Sequence, residues 1–312
     1  MRSPLTTPWP PLHDVLQDAS LTNTCPPYTT CSTKHCSTHH WSNAYPPSVG
    51  TPFHKPTFST KISSSKDSAL ELAQNTHWTT KYKVYCDGSS IEGGVGAATI
   101  LYKNNRVLKT RRAYLGSAKE HTVFEAKLVG VLLALSLLYN LTCQLTTLVI
   151  IGLDNQAVLC ALNNQDTKLS HYLLDHIHTA VEKLHQKQDQ AQNLADFCNT
   201  WQAGNHLIAK TCGIVNIRLQ WVPGHIDFAP NEKADAEAKW ATRGQSNANA
   251  LLPKSLHKSL PHSVSALWQY QKAKVQKRWL RQWKASPRYV KQWHINDTTS
   301  SKKWLQLVVT PT

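Results

Sequence analysis

The order of the periodic segments between residues 81 and 242 limits the fold of this chain more than any other feature. Apolar and polar residues alternate in KYKVYCD, GGVGAATILY and RVLKTRRAYLG, as expected of three consecutive strands. The pair Asn104-Asn105 between the second and third segments favours a tight hairpin turn. These segments predict an antiparallel meander at the start of the domain.

The segments that follow alternate between helix and strand. Apolar residues recur at helical spacing in KEHTVFEAKLVGVLLALSLLYN, and LTTLVIIGLD then resembles a buried strand. A short helix (NQAVLCALNN), one long helix or two in residues 170–201, a fifth strand (IVNIRLQWVPG) and a last helix (PNEKADAEAKWAT) complete the series. This order predicts an α/β fold with a five-stranded mixed sheet, three strands antiparallel and two parallel, flanked by helices.

The two flanking regions differ from this domain in composition. Residues 1–77 are rich in Pro, Ser, Thr and His without a sustained period, so we expect them to be disordered or a linker. Their CPPYTTCSTKHCSTHH tract offers Cys and His for zinc, but its spacings lack the close Cys pairs of structural zinc sites. Residues 78–245 form the predicted domain, and residues 246–312 form a basic, Trp-rich tail that is helical in part. The longer stretch from 164 to 213 is interpreted as a structural elaboration.

The positive charge of the chain favours a polyanionic partner. The 312 residues carry a formal net charge of +15, and residues 253–304 contribute +11, from twelve Lys or Arg and one acid. A basic helix at about 262–285 could follow phosphates. Its Trp residues either stack on bases or pack on the domain or on a missing part of a larger protein, and packing is the interpretation we favour for them. No signal peptide or membrane-spanning run is visible, and the scattered Cys fit an intracellular protein, in the nucleus or the cytoplasm.

Four acidic residues lie at the ends of predicted strands or near the starts of predicted helices. Asp87 and Asp154 end the first and fourth strands, Glu125 lies in the first turns of the first helix, and Asp235 lies early in the last helix. If the fourth strand runs beside the first, the four side chains are expected to converge. Such a cluster needs a cation, because like charges in one site repel. Carboxylate oxygens suit Mg²⁺, and two ions could activate water and stabilise a leaving oxygen.

Each of these acids also has a purely structural explanation. Asp87 can start a turn, and Asp154 can cap the helix that follows it. Glu125 and Asp235 can favour the positive end of a helix. Their joint occurrence on suitable elements favours the metal site.

The motifs YCDGSS, HTVFEAKLVGVLLAL, LDNQAV and WVPGHIDFAPNEKADAEA resemble, in this order, those of the type 1 ribonuclease H family. The resemblance covers residues 81–242. The APNEKAD motif and the tail LPKSLHKSLPHSVSALWQ are similar to the ribonuclease H region of fungal non-LTR retrotransposon polyproteins. The chain is therefore expected to be a fragment or degenerate copy of such an element, whose parent includes a reverse transcriptase domain.

This resemblance implies an activity and a set of site residues. It implies hydrolysis of the RNA strand of RNA–DNA hybrids, with two Mg²⁺ ions, or Mn²⁺, bound by the four acids. His225 matches the family's mobile-loop histidine, which assists proton transfer or product release, and Asn231 is a support for it or for the metal site. The remaining candidates, expected to contact 2′-hydroxyls, are Gly88, Ser89, Asn155 and Gln156. Turn and helix-cap roles explain these four equally well.

Two other functions compete with the hybrid nuclease. One is a catalytically inactive remnant of the same fold that binds nucleic acid. The other is an integrase or resolvase of the same superfamily, which the WVPGH loop and the fourth acid disfavour.

Overall fold

A computed structural model describes residues 56–142, 145, 148–164, 170–201, 215–224 and 226–289, with side chains up to residue 193 in the fourth of these segments. The strands are β1 (Ser59–Lys61), β2 (Tyr82–Ile91), β3 (Gly94–Lys103), β4 (Arg106–Ser117), β5 (Val149–Leu153) and β6 (Ile217–Trp221). The helices are α1 (Lys66–Thr79), α2 (Val123–Tyr139), α3 (Gln156–Asn164), α4 (His171–Trp201), α5 (Ala229–Ala241) and α6 (Val264–Ala285).

The strands form one mixed sheet in the order β1-β6-β5-β2-β3-β4. β2, β3 and β4 are antiparallel, whereas β5 pairs parallel with β2 and β6 pairs parallel with β5. The predicted α/β fold and the three-plus-two arrangement of strands are confirmed. The sheet also has a sixth strand, because β1 pairs parallel with the outer side of β6.

The turns of the meander follow from its sequence. Asn104 and Asn105 both have positive φ, at 47° and 66°, as a two-residue hairpin turn of the primed type requires. Glu92 and Gly93 do the same between β2 and β3, at 53° and 81°. The Asn-Asn turn was predicted from the sequence, and it pairs Lys103 with Arg106; the register of β3 against β4 then shifts between Leu101 and Tyr102.

The two faces of the sheet are covered by different helices. On one face α2 packs on β2 and β3 and is itself covered by α4, so α2 is buried nearly all round. On the other face a smaller cluster joins Ala73 of α1, Tyr85, Tyr102, Phe228 and Ala234 of α5. Successive residues of β2 alternate between these clusters, as strand geometry requires.

The prediction of no regular structure before residue 77 is wrong for its last part. β1 and most of α1 lie within that region, and α1 begins with a capping box between Ser65 and Ser68. Ala69 and Ala73 of α1 are fully buried. Tertiary packing supplies the stability that a short, weakly apolar segment lacks alone. The zinc-candidate tract lies outside the described residues.

The other predicted helices are present at 171–201, as one helix, and at 264–285. Residues 202–213, the last part of the stretch from 164 to 213, lie outside the described residues. Ala266 is the buried residue of α6, while Ser265, Trp279 and Trp283 are half-buried and the rest of the helix is exposed. Trp268 is 73% exposed, and Trp279 and Trp283 stack on each other. Packing of these Trp residues on the domain is therefore not observed. None of the helices in the described ranges has the length and apolar character needed to cross a bilayer.

Candidate functional site

Asp87 and Asp154 lie at the same edge of the sheet because their strands are parallel neighbours. β2 pairs with β5 from Tyr82 to Tyr85, so Asp87 extends just beyond the paired part of β5, and Asp154 follows Leu153 directly. Asp87 is buried, and the side chain of Asp154 is 19% exposed. The predicted proximity of these two acids is observed.

The side chain between the two carboxylates is that of Lys127. Its Nζ donates to Oδ1 of Asp87 and to Oδ1 of Asp154, and both contacts are ion pairs. Lys127 is only 8% exposed. Burial alone would lower the pKa of Lys127, but the two carboxylates raise it above its usual value, so the ammonium stays charged.

Close contact between β2 and the start of α2 brings Lys127 to this point. A Cβ added at Gly88 would lie 2.5 Å from the backbone nitrogen of Lys127 and 2.6 Å from Cβ of Ala126. Only glycine at position 88 allows the strand to lie so near the helix. Neighbouring residues of β2 therefore have two roles: Asp87 provides the carboxylate, and Gly88 leaves the space that α2 occupies.

The structure does not place Glu125 with this pair, which corrects the predicted convergence of four acids. Oε2 of Glu125 accepts from the backbone N–H of Thr122, at 2.8 Å, and from its hydroxyl, at 3.1 Å. The N–H of Glu125 donates to Oγ1 of Thr122 in return, which completes a capping box. Burial raises the pKa of Glu125, and its bonds to Thr122 oppose that shift.

Helix geometry explains why Glu125 and Lys127 face different surroundings. Side chains two positions apart on an α-helix point in nearly opposite directions. Since Lys127 points at Asp87 and Asp154, Glu125 points away from them, and it lies 4.0 Å from the ring of His121. Lys127 was not among the site residues predicted from the sequence. The Thr122-x-x-Glu125 pattern was the signal that could have found it, because it marks Glu125 as a cap.

Asp235 also has a lysine partner. Its Oδ2 lies 2.6 Å from Nζ of Lys239, one helical turn further along α5. The side chain of Lys239 is about half exposed, and its pKa is raised by Asp235 first and by Asp87 least. The shift in the pKa of Lys239 therefore comes mainly from Asp235.

The loop after β6 borders the same edge. A Cβ at Gly224 would lie 3.1 Å from Oδ2 of Asp154, and the indole N–H of Trp221 donates to the backbone oxygen of Asp154. His225 lies outside the described residues. Asn231 is 2% exposed, and its Oδ1 has no hydrogen-bond partner within the part of the chain that the structure describes.

The candidate substrate-binding residues have different hydrogen-bonding roles. The N–H of Gly88 donates to Oδ1 of Asp87, at 2.7 Å, and Oδ1 of Asn155 caps α3 by accepting from Val158. The cap of α3 is thus Asn155 rather than Asp154, which removes the structural explanation for Asp154. Ser89 is half-buried and Gln156 is exposed.

The carboxylate oxygens of Asp87 and Asp154 are arranged so that they can bind a cation. In the described ranges no three His, Cys, Asp or Glu residues come close enough together to hold a metal ion. The two aspartates nevertheless direct an oxygen each at one shared cation, the ammonium of Lys127. Carboxylate oxygens of this kind also suit Mg²⁺.

Comparison with known proteins gives the following matches. Residues 79–243 match the protein-family model for RNase H. Similar solved structures include RNase H1 from Halobacterium salinarum NRC-1, with 16% identity and a TM-score of 0.34, covering 53% of this chain and 98% of that one. LC11-RNase H1 from compost, solved in complex with an RNA/DNA hybrid, has 14% identity and a TM-score of 0.35, with the same coverage. Among curated proteins, none matches this chain.

Proposed function

Because this chain belongs to the RNase H family, we propose that it binds RNA–DNA hybrids and hydrolyses their RNA strand. The ligands of the required divalent ions would be Asp87 and Asp154, with Asp235 as a further acid from α5. Glu125 is not included among these ligands, because its carboxylate is bound to Thr122 at the start of α2.

One observation carries this proposal. On two neighbouring parallel strands, Asp87 lies just beyond the part of β2 that pairs with β5, and Asp154 follows the last residue of β5. Both carboxylates point at one cation. Divalent ions bound there would activate a water and stabilise the leaving oxygen of a phosphodiester. Asp87 and Asp154 would position these ions, while Trp221 and Gly224 hold Asp154 against the edge of the sheet.

The residues around the pair support hybrid recognition. Ser89 and Gln156 retain side-chain groups that can hydrogen-bond 2′-hydroxyls, the feature that separates RNA from DNA. Gly88 and Asn155 would act mainly by shaping the site, since their bonds to Asp87 and Val158 are already made. The exposed basic face of α6 supplies charge for phosphates through Lys272, Lys274, Lys277, Arg278, Arg281 and Lys284.

His225 would assist proton transfer or product release from the loop after β6, because an imidazole titrates near neutral pH. The buried Oδ1 of Asn231 is an acceptor that could orient the His225 ring. These two roles are inferred from the resemblance of the loop and from the burial of Asn231.

Incubation of the full chain with a labelled RNA–DNA hybrid tests the proposal. We expect cleavage of the RNA strand in Mg²⁺ or Mn²⁺ and no cleavage of the matching DNA duplex. Asp154→Asn should abolish cleavage, whereas Asp189→Asn, at an exposed acid of α4, should leave it unchanged. Cleavage by Asp154→Asn at the parent's rate would refute the assignment.

Lys127 favours a second candidate function, which is hybrid binding without cleavage. An ammonium already neutralises part of the charge on Asp87 and Asp154. Hybrid binding that is unaffected by metal ions, with no cleavage at any metal concentration, would identify this function.

We further infer an origin in a non-LTR retrotransposon polyprotein, in which a reverse transcriptase domain would be the partner. The APNEKAD motif and the sequence that follows residue 252 support this inference. The predicted intracellular location remains a prediction as well.

A further inference from the structure

We infer that Lys127 is an internal competitor of the divalent metal, whose ammonium group holds the position between Asp87 and Asp154 that an ion would take. This inference rests on the proposed function, since it treats both aspartates as metal ligands. It adds a regulating residue to that site and predicts an unusually high metal requirement.

The contacts of Lys127 place its charge at the centre of the site. The Nζ of Lys127 donates to both carboxylates, so one oxygen of each aspartate accepts a hydrogen bond from the same ammonium group. A metal ion bridging these oxygens must displace the ammonium, because both cannot occupy one point. The ammonium also reduces the formal charge of the pair from −2 to −1, which weakens the attraction for a divalent ion.

The burial of Lys127 makes that displacement costly. Lys127 is 8% exposed, and its backbone is fixed where Gly88 touches α2. Lys239 provides a contrast within the same region, because its side chain is 49% exposed and can turn into solvent when Asp235 binds another cation. The two lysines therefore differ in their expected effect, and only Lys127 blocks the site.

Metal binding by Lys127→Met tests the inference, with Mn²⁺ alone as the probe. Isothermal titration calorimetry of the full chain measures the Kd for Mn²⁺, and the increase in the melting temperature of the protein with Mn²⁺ gives an independent readout. We expect Lys127→Met to bind Mn²⁺ at least about tenfold more tightly than the parent. Lys109→Met removes one exposed charge on β4 and should bind like the parent.

The double variant Asp87→Asn/Lys127→Met locates the gain. If Lys127→Met binds Mn²⁺ more tightly because it frees the Asp87–Asp154 pair, adding Asp87→Asn should cancel most of this gain in affinity. Equal Kd values for the parent and Lys127→Met, or a gain that persists in the double variant, would overturn the inference. Should Lys127→Met not fold, Lys127→Gln retains an N–H donor for one carboxylate without the charge and is judged by the same criteria.

Failure of this inference and failure of the proposed function give different results. Tighter Mn²⁺ binding by Lys127→Met without cleavage of a hybrid would reject the nuclease while leaving the competition intact. Cleavage by the parent at metal concentrations that Lys127→Met does not lower would support the nuclease and reject the competition.

Discussion

Replacement of His77 should remove an acid sensitivity from this fold. His77 is 9% exposed on α1, and its Nδ1 lies 3.1 Å from the hydroxyl of Tyr85. The rings of Tyr102 and Phe228 lie edge-on to it, at 5.3 and 6.0 Å. Burial, and then the charge of Lys83, lower the pKa of His77 from 6.5 to about 4. Burial raises the pKa of Tyr85, so its hydroxyl stays protonated beside a neutral His77.

The difference between the two pKa values sets the magnitude. Between pH 6.5 and 4 the unfolded chain holds a proton on His77 that the folded chain lacks, so stability falls as the pH falls through this window. Above pH 6.5 neither state is protonated and His77 adds no pH dependence. At about 1.36 kcal/mol per pKa unit, the full window is worth about 3 kcal/mol of unfolding free energy.

Urea denaturation from pH 7 to pH 4 measures this quantity. His77→Gln keeps an amide that can bond Tyr85 but does not titrate, so its stability should fall less than the parent's by about 3 kcal/mol. Other histidines with lowered pKa values, His121 and His176, are present in both proteins and cancel. His257→Gln, at an exposed position, serves as the control and should follow the parent. Identical pH dependence of the parent and His77→Gln would refute the reasoning.

Two further predictions concern the packing that positions the site. Gly88→Ala places a Cβ against the backbone of α2, so we expect a loss of about 3 kcal/mol in urea denaturation, while Ser90→Ala, at an exposed position, should cost under about 0.5 kcal/mol. A chain that begins at residue 78 lacks β1 and α1 and exposes Tyr85 and Phe228. It should unfold at a lower urea concentration than one that begins at residue 56. Equal midpoints would mean that α1 is not part of the domain.

The parts of the fold that could be predicted from the sequence are those in which local pattern and tertiary environment agree. The alternation of β2 and the Asn104-Asn105 turn specify their structure without reference to distant residues. The parallel pairing of β2 with β5 follows from the strand and helix order, and it correctly placed Asp87 beside Asp154.

The missed elements have no such local signal. β1 is the three-residue segment Ser-Thr-Lys at the edge of the sheet, and it is defined by its pairing with β6 rather than by any apolar alternation. α1 buries the small residues Ala69 and Ala73 together with His77, a face without the Leu or Val stripe that identifies a helix in sequence. β1 and α1 therefore become stable only when they pack on the core of the domain.

The prediction that Glu125 joins the aspartates failed for a different reason, which is the direction in which each side chain leaves the helix. A motif places residues in order, but the function of a helical side chain depends on its direction, and this turns by about 100° at each residue. Thr122 fixes the phase of α2, because its side chain must accept from the N–H of Glu125. Once that cap is set, Glu125 is committed to the helix end and Lys127 is the residue that faces Asp87 and Asp154. The charge balance of the site thus depends on a helix cap, and a positive side chain rather than a third acid meets the two aspartates.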